Sequence, residues 1–106
     1  MSDEYVRSVL AAYLALPDTP RRTSPFDHRL ARDLFDRAVP LATVSAAFVV
    51  AIARRKARPP DAVPLGSIRS LAYFLPVIEE LLAKPMDPSY AEYLQRKLVS
   101  GPVPLV

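Results

Sequence analysis

The stretch Leu41–Ile52, LATVSAAFVVAI, contains no charged residue and no glycine, and it leads into the basic sequence ArgArgLysAlaArg at Arg54–Arg58. A helix that is apolar around its whole circumference is typical of a position inside a protein. These twelve residues are too few to cross a bilayer, which needs about twenty. The stretch therefore predicts a buried central helix whose charged end emerges into water.

Two amphipathic helices are predicted before this stretch. The first begins at Ser2, carries apolar residues at four-residue spacing, and ends before Pro17. SerProPheAsp, at Ser24–Asp27, predicts the start of the second, with Ser24 as the cap and Asp27 as a capping-box acid. The buried stripe predicted for this second helix consists of Phe26, Leu30, Leu34 and Phe35.

The C-terminal half begins with a proline-rich connection, Pro59–Gly66, for which we expect a stiff, extended backbone. A fourth helix is predicted to start at Ser67 or Ser70 and to continue to Leu82. Its apolar spacing continues across Pro76, which favours a kinked helix over a new one. A last helix is predicted from Asp87–Pro88, with a stripe formed by Tyr90, Leu94 and Leu98.

These patterns predict an all-α, single-domain bundle of four to five helices around a buried central helix. The chain has 106 residues, of which 51% are hydrophobic, and its two glycines against twelve prolines disfavour a β-rich fold. We expect residues 1–100 to form the helical domain and residues 101–106 to form a proline-rich tail.

Residue types that carry catalysis or bind metals are scarce. The chain has no cysteine, which excludes disulfides and thiolate metal sites, and His28 is its only histidine. Glycine-rich phosphate loops and nucleophile motifs are also absent from the sequence. We therefore expect a non-enzymatic protein that needs no cofactor or metal. The acidic start, MetSerAspGluTyr, lacks the basic and apolar regions of a signal peptide, so we expect a cytoplasmic protein without membrane contact.

Positive charge is concentrated in the middle of the chain. Residues 21–58 carry nine basic and three acidic groups, which indicates an anionic partner such as nucleic acid. The candidate binding residues are Arg21, Arg22, Arg29, Arg32, Arg54, Arg55, Lys56, Arg58 and Arg69, with Tyr73 as a candidate base-stacking ring. Other interpretations stay open, since the cluster at Arg54–Arg58 could be a solvated helix end and Tyr73 could pack in the core. Intrahelical pairs (Arg29 with Asp33, Arg32 with Asp36, Asp33 with Arg37) could account for the charges of the second helix.

A basic-ended helix, a proline-broken connection and the sequence IRSLAYFLPVIEELL follow one another along the chain. This order resembles the helical C-terminal domain of DnaD-type primosomal and phage replication proteins, over about residues 24–84. The Tyr-x-x-x-Ile-x-x-x-Trp pattern that marks the DNA-associated helix of that family falls on Tyr73, Val77 and Leu81. Valine and leucine replace its isoleucine and tryptophan, and Pro76 lies inside it. The resemblance implies contact with single- or double-stranded DNA in a replication or mobile-element complex.

A surplus of aliphatic residues beside the prolines suggests an alternative function. A bundle of this size is not expected to cover all of them, and exposed apolar patches usually mark interfaces. The surplus consists of Val39, Leu41, Val63, Leu65, Val103, Leu105 and Val106. The alternative is therefore a protein–protein or self-assembly module, or an accessory subunit of a larger complex.

Overall fold

The computed structural model describes residues 2–85 together with residues 89, 90, 93 and 96. Over residues 2–85 the chain forms four α-helices, one 3-10 turn and no strand, and the four later residues are also helical. The elements are α1 (Ser2–Leu14), α2 (Pro25–Asp36), α3 (Leu41–Lys56), the 3-10 turn (Leu71–Phe74) and α4 (Leu75–Ala83). The predicted all-α bundle is confirmed.

Helix α3 is the central element, and it packs against α1, the 3-10 turn and α4. From Val44 to Ile52 most of its side chains are buried, including Phe48 and Ala51. Its first turn is different, because Leu41 lies exposed at the surface. The prediction of a buried helix is thus confirmed for most of its length, whereas the first turn is accessible to solvent.

Phe74 of the 3-10 turn joins three elements in the core. Its ring is fully buried and makes edge-on contacts with Phe48 of α3, at 4.9 Å between ring centroids, and with Tyr13 of α1, at 6.0 Å. Edge-on aromatic pairs are favourable beyond the area that they bury. The turn after the proline-rich connection is therefore anchored to both α1 and α3.

The N-terminus of α2 contains the predicted capping box, in which Ser24 and Asp27 each accept a hydrogen bond from the other's main-chain N–H. Asp27 is only 1% exposed, and its second carboxylate oxygen accepts a hydrogen bond from the main-chain N–H of Leu71 at 2.9 Å. Because Asp27 faces inward, the preceding residue is rotated about 100° away from the core. Phe26 is accordingly 46% exposed, and its predicted place in the buried stripe is wrong.

The chain changes from a 3-10 turn to an α-helix just before Pro76, and no continuous α-helix is bent there. The predicted kink is therefore wrong. Ser70, which is one of the two predicted helix starts, caps the 3-10 turn by accepting a hydrogen bond from Ala72 N–H. Helix α4 then begins at Leu75 with Pro76 in its first turn. A proline is tolerated there because the missing N–H would have no partner within the helix.

The predicted last helix is only partly within the described residues. Tyr90 is helical but exposed, which contradicts its predicted place in a buried stripe. Asp87, Pro88, Leu94, Leu98 and the tail at residues 101–106 lie outside the described residues. Among the helices that are described, none is both long and apolar enough to cross a membrane.

Candidate nucleic-acid interface

A surface groove of about 320 Å³ lies where α3 ends. The last turns of α3, the connection to the 3-10 turn, that turn itself and the first turn of α4 all contribute to it. The lining residues are Ala51, Arg54, Arg55, Arg58, Leu65, Tyr73 and Val77. Three guanidinium groups therefore share one concave surface with an aromatic ring and several apolar side chains.

Arg55 ties the elements around the groove together. Its Nη2 donates to the main-chain oxygen of Gly66 at 2.9 Å and to the Asp18 carboxylate at 3.2 Å, and its Nη1 donates to the Tyr73 hydroxyl at 3.2 Å. The Arg55 side chain is only 10% exposed. The hydrogen bond to Tyr73, followed by the one to Asp18, raises the pKa of Arg55 against the opposing effect of burial. Arg55 stays charged, and both of its terminal nitrogens donate hydrogen bonds within the chain.

Arg54 forms a bidentate pair with Glu80 of α4, with N–O distances of 2.6 and 3.0 Å. Arg37 pairs with Glu79 in the same way, at 2.7 and 2.9 Å. In each pair the hydrogen bond from the arginine is the main cause that lowers the pKa of the glutamate. All four side chains are about half exposed, so solvent screening keeps the contribution of these pairs to stability small.

The predicted intrahelical pairs of α2 are not formed. Arg37 reaches Glu79 on another helix instead of Asp33. Within the part of the chain that the structure describes, Arg29 and Arg32 have no carboxylate within 4.0 Å. Bidentate geometry with a glutamate on α4 is the arrangement that guanidinium groups favour.

The remaining candidate cations, apart from those of α2, form no ion pair within the described part of the chain. Arg21, Arg22, Lys56, Arg58 and Arg69 are exposed, and no carboxylate of the described residues lies within 4.0 Å of them. We call these five residues, together with Arg54 and Arg55, the basic rim. Of its seven cations, Arg54 pairs with Glu80 and Arg55 with Asp18, and the other five have no carboxylate partner among the described residues.

The contacts of Asp18 bring separate parts of the basic rim together. The main-chain oxygen of Asp18 accepts a hydrogen bond from Ile68 N–H at 2.7 Å, while its carboxylate binds Arg55. Arg69 follows Ile68 directly, and Arg21 and Arg22 are no more than four residues from Asp18. A chain of that length spans at most about 15 Å. The backbone of Arg21, Arg22 and Arg69 therefore lies within about 15 Å of the Asp18 junction with α3, a distance that permits a shared surface.

Arg29 and Arg32 belong to a different surface. At about 100° per residue, they lie about 200° and 140° around α2 from Asp27. Because Asp27 contacts Leu71 at the start of the 3-10 turn, these two arginines lie on the side of α2 that faces away from that turn. Exposed Asp33 and Asp36 accompany them on this outer face of α2. The candidate site predicted from the sequence therefore divides into the basic rim and a separate, charge-balanced helix face.

Tyr73 is neither fully exposed nor part of the core. It is 41% exposed, and its ring contacts Phe74 edge-on at 5.1 Å between centroids. The guanidinium carbon of Arg55 lies 5.4 Å from the centroid of the Tyr73 ring. Of the other positions in the DnaD-type pattern, Val77 is partly buried and Leu81 is buried. Only Tyr73 thus offers substantial side-chain surface to a ligand.

The aliphatic surplus is partly exposed. Val63 is 78% exposed, and Leu65 and Leu41 are also accessible. Val39 is buried, which corrects the expectation for this residue, and its main-chain oxygen accepts a hydrogen bond from the Tyr5 hydroxyl at 2.7 Å. Val103, Leu105 and Val106 lie outside the described residues.

No protein-family model matches the chain, and neither the curated proteins nor the solved structures contain a significant match to it. The likeness to DnaD-type domains at Tyr73, Val77 and Leu81 therefore stays a prediction from the sequence.

Proposed function

We propose that this chain is a non-catalytic helical module that binds nucleic acid, most simply DNA, through the basic rim. One observation carries the proposal: Lys56 and Arg58, at the end of α3, are exposed and have no carboxylate partner among the described residues, although Arg54 and Arg55 are paired. Phosphate contacts of this kind supply most of the affinity of nonspecific nucleic-acid binding.

The residues of the basic rim have two different roles in this proposal. Arg21, Arg22, Lys56, Arg58 and Arg69 are exposed and have no carboxylate partner among the described residues, so they make the first contacts with phosphates. Arg54 and Arg55 are held by Glu80 and Asp18, and they shape the groove. Contacts to phosphates fix the position of a protein on nucleic acid without reading its sequence.

Tyr73 adds an aromatic surface to this site. Its exposed part faces the groove beside Arg55 and Leu65. Bases stack on such rings irrespective of sequence. The proposed context is the one that the DnaD-type resemblance implies, a replication or mobile-element complex.

The test compares two double variants that remove the same charge from different surfaces. Lys56→Gln/Arg69→Gln alters the basic rim, whereas Arg29→Gln/Arg32→Gln alters the outer face of α2. Binding to fluorescent single- and double-stranded DNA is measured by anisotropy over a series of salt concentrations. The salt dependence separates the loss of phosphate contacts from a general change in net charge.

The rim variant is expected to bind at least about tenfold more weakly, and its log–log salt slope should fall by about two, one for each lost phosphate contact. The control should change affinity by less than about twofold, because exposed charges beyond a Debye length are largely screened. Equal losses in the two variants would show that net charge alone drives binding. Undetectable binding of the wild-type protein at low salt would refute the proposal.

Exposed Val63 and Leu65 support a second candidate, a protein–protein or self-assembly module. Val63→Ser/Leu65→Ser leaves every charge of the basic rim in place. Light scattering at increasing protein concentration distinguishes the two functions. A wild-type oligomer that this variant dissociates would favour assembly, whereas a monomer at all concentrations would count against self-association.

A further inference from the structure

Residues 59–67, which we call the strap, pass beside the groove, and Leu65 is the strap residue that lines it. The side chains of the strap are exposed apart from that of Ala62, and a Cβ atom placed on Gly66 would meet no atom within 4 Å. The one main-chain hydrogen bond within it closes a turn, from Ala62 N–H to Pro59. The predicted stiff, extended connection thus starts with a turn and continues as an irregular stretch.

Two arginines at the end of α3 hold the strap. Arg55 donates to the main-chain oxygen of Gly66 at 2.9 Å, and Arg58 donates to that of Val63 at 2.5 Å. Beyond the strap, buried Ile68 fixes the chain again through its hydrogen bond to Asp18. Within the described structure, the strap is therefore hydrogen-bonded to α3 through the guanidinium groups of Arg55 and Arg58. The same two groups line the groove.

We propose that the strap is autoinhibitory and that a phosphate group bound in the groove displaces it. This inference rests on the proposed function, since it assumes that the groove binds phosphates. Guanidinium groups bond more strongly to an anionic phosphate oxygen than to a neutral carbonyl oxygen. Phosphate therefore competes with Gly66, Val63 and the Asp18 carboxylate for the donors of Arg55 and Arg58. Water can donate hydrogen bonds to the released main-chain oxygens of the strap, because the strap lies at the surface.

Thermodynamic linkage makes this coupling reciprocal. If phosphate binding releases the strap, the contacts that hold Arg55 in place must weaken phosphate binding by the same factor. Asp18 offers a direct way to alter these contacts, because its carboxylate is 60% exposed and binds Arg55. The backbone of Asp18 has a positive φ of 66°, which asparagine also tolerates, so Asp18→Asn removes the charge and keeps the loop.

The first experiment places a nitroxide label on the strap. The chain has no cysteine, so Val63→Cys gives a single labelling site at an exposed position, and Ser45→Cys on the exposed face of α3 is the matched control. Electron paramagnetic resonance spectra are recorded with inorganic tripolyphosphate and with a single-stranded oligonucleotide, at constant ionic strength set with sodium chloride. The mobile fraction at position 63 is expected to rise at least about twofold as the strap is released, with no change at position 45.

The second experiment measures binding of the same two ligands to Asp18→Asn and to Asp36→Asn, which makes the same charge change on the outer face of α2. Asp18→Asn is expected to bind about fivefold more tightly than Asp36→Asn, because one competitor for Arg55 has been removed. Circular dichroism confirms that both variants are folded.

The outcomes separate this inference from the proposed function. Release of the strap by either ligand supports the coupling, and the ligand that acts identifies the source of the phosphate. An unchanged spectrum at position 63 with a ligand that is shown to be bound overturns the coupling and leaves the proposed function intact. Equal affinities of Asp18→Asn and Asp36→Asn also overturn it. If neither ligand binds the wild-type protein, both the inference and the proposed function fall.

Discussion

Two charged side chains, Asp27 and Arg55, each connect a helix to distant parts of the chain, but in different surroundings. Asp27 is 1% exposed and accepts hydrogen bonds from the main-chain N–H groups of Ser24 and Leu71. Arg55 donates to Asp18, Gly66 and Tyr73 at the edge of a groove, where each of these partners is exposed. Asp27 lies inside the fold, whereas Arg55 is mostly covered but binds partners that are exposed.

The difference lies in what is left when each contact breaks. Without Asp27, the buried main-chain N–H of Leu71 loses its acceptor, and an unpaired buried N–H is costly. Without Arg55, the freed oxygen atoms can bind water at little cost. A contact of the first kind fixes a fold, and a contact of the second kind can be exchanged for a ligand. We infer that the hydrogen bonds of Asp27 to Ser24 and Leu71 determine the architecture. The hydrogen bonds of Arg55, which we call the Arg55 network, are the adjustable part of the protein.

The largest effect is expected for Asp27→Ala. Loss of the hydrogen bond from Ser24 N–H costs about 1 kcal/mol, and an unpaired buried N–H at Leu71 costs a further 1–3 kcal/mol, so the free energy of unfolding should fall by about 3 kcal/mol. Urea denaturation followed by circular dichroism measures this change. Asp33→Ala, at an exposed site of the same helix, serves as the control and should change stability by less than about 0.5 kcal/mol.

A loss below about 1 kcal/mol in Asp27→Ala would contradict the distinction between the two regions. It would mean that water reaches Leu71 N–H as readily as it reaches the groove. The two charged residues would then be equivalent in their effect on stability.

A smaller effect is expected for Arg55→Met, which keeps most of the aliphatic stem and removes the charged group. The free energy of unfolding should fall by about 1 kcal/mol, since the released partners are rehydrated. Urea denaturation under the same conditions as for Asp27→Ala gives the comparison directly. A loss as large as that of Asp27→Ala would show that the Arg55 network is part of the structural framework and not its adjustable part.

The elements of the fold could be predicted from the sequence because their signals are local. The apolar run at Leu41–Ile52 identified α3, and Ser24 with Asp27 identified the start of α2. Phe26 and Pro76 were misplaced for a geometric reason, since apolar spacing alone gives neither the rotation of α2 nor the helix type before a proline. The contact of Asp27 with Leu71 joins residues 44 positions apart, and no local pattern indicates it.

The candidate site was less predictable than the fold. Sequence proximity identified the basic cluster at Arg54–Arg58, but it could not show that Glu80 and Asp18 pair with two of its members. Those partners lie 26 and 37 residues away. It also grouped Arg29 and Arg32 with the cluster, because charge along the chain does not indicate which face of α2 is turned outward.

Tyr13 provides the smallest and most specific test of the buried region. Its hydroxyl is fully buried and has no hydrogen-bond partner within the described part of the chain. Asp27 is close enough to affect it: burial first, and the charge of Asp27 second, raise the pKa of Tyr13 to about 12. Tyr13→Phe removes a buried polar group without a partner and keeps the ring that contacts Phe74. At neutral pH it should leave stability unchanged or increase it by up to about 1 kcal/mol.

The pH dependence of this variant tests the same interior more sharply. A pKa raised above the ordinary value of 10 means that the folded state favours the neutral phenol, so the associated stability is present below pH 10 and is lost as pH rises towards 12. The stability of the wild-type protein should therefore fall more steeply than that of Tyr13→Phe between pH 10 and 12, in urea denaturations at each pH. Tyr5, whose pKa is also raised by burial, is present in both proteins and cancels in the comparison. If the two proteins lost stability in parallel as pH rises, water would reach the Tyr13 hydroxyl. The region around Asp27 would then be as accessible to water as the groove around Arg55.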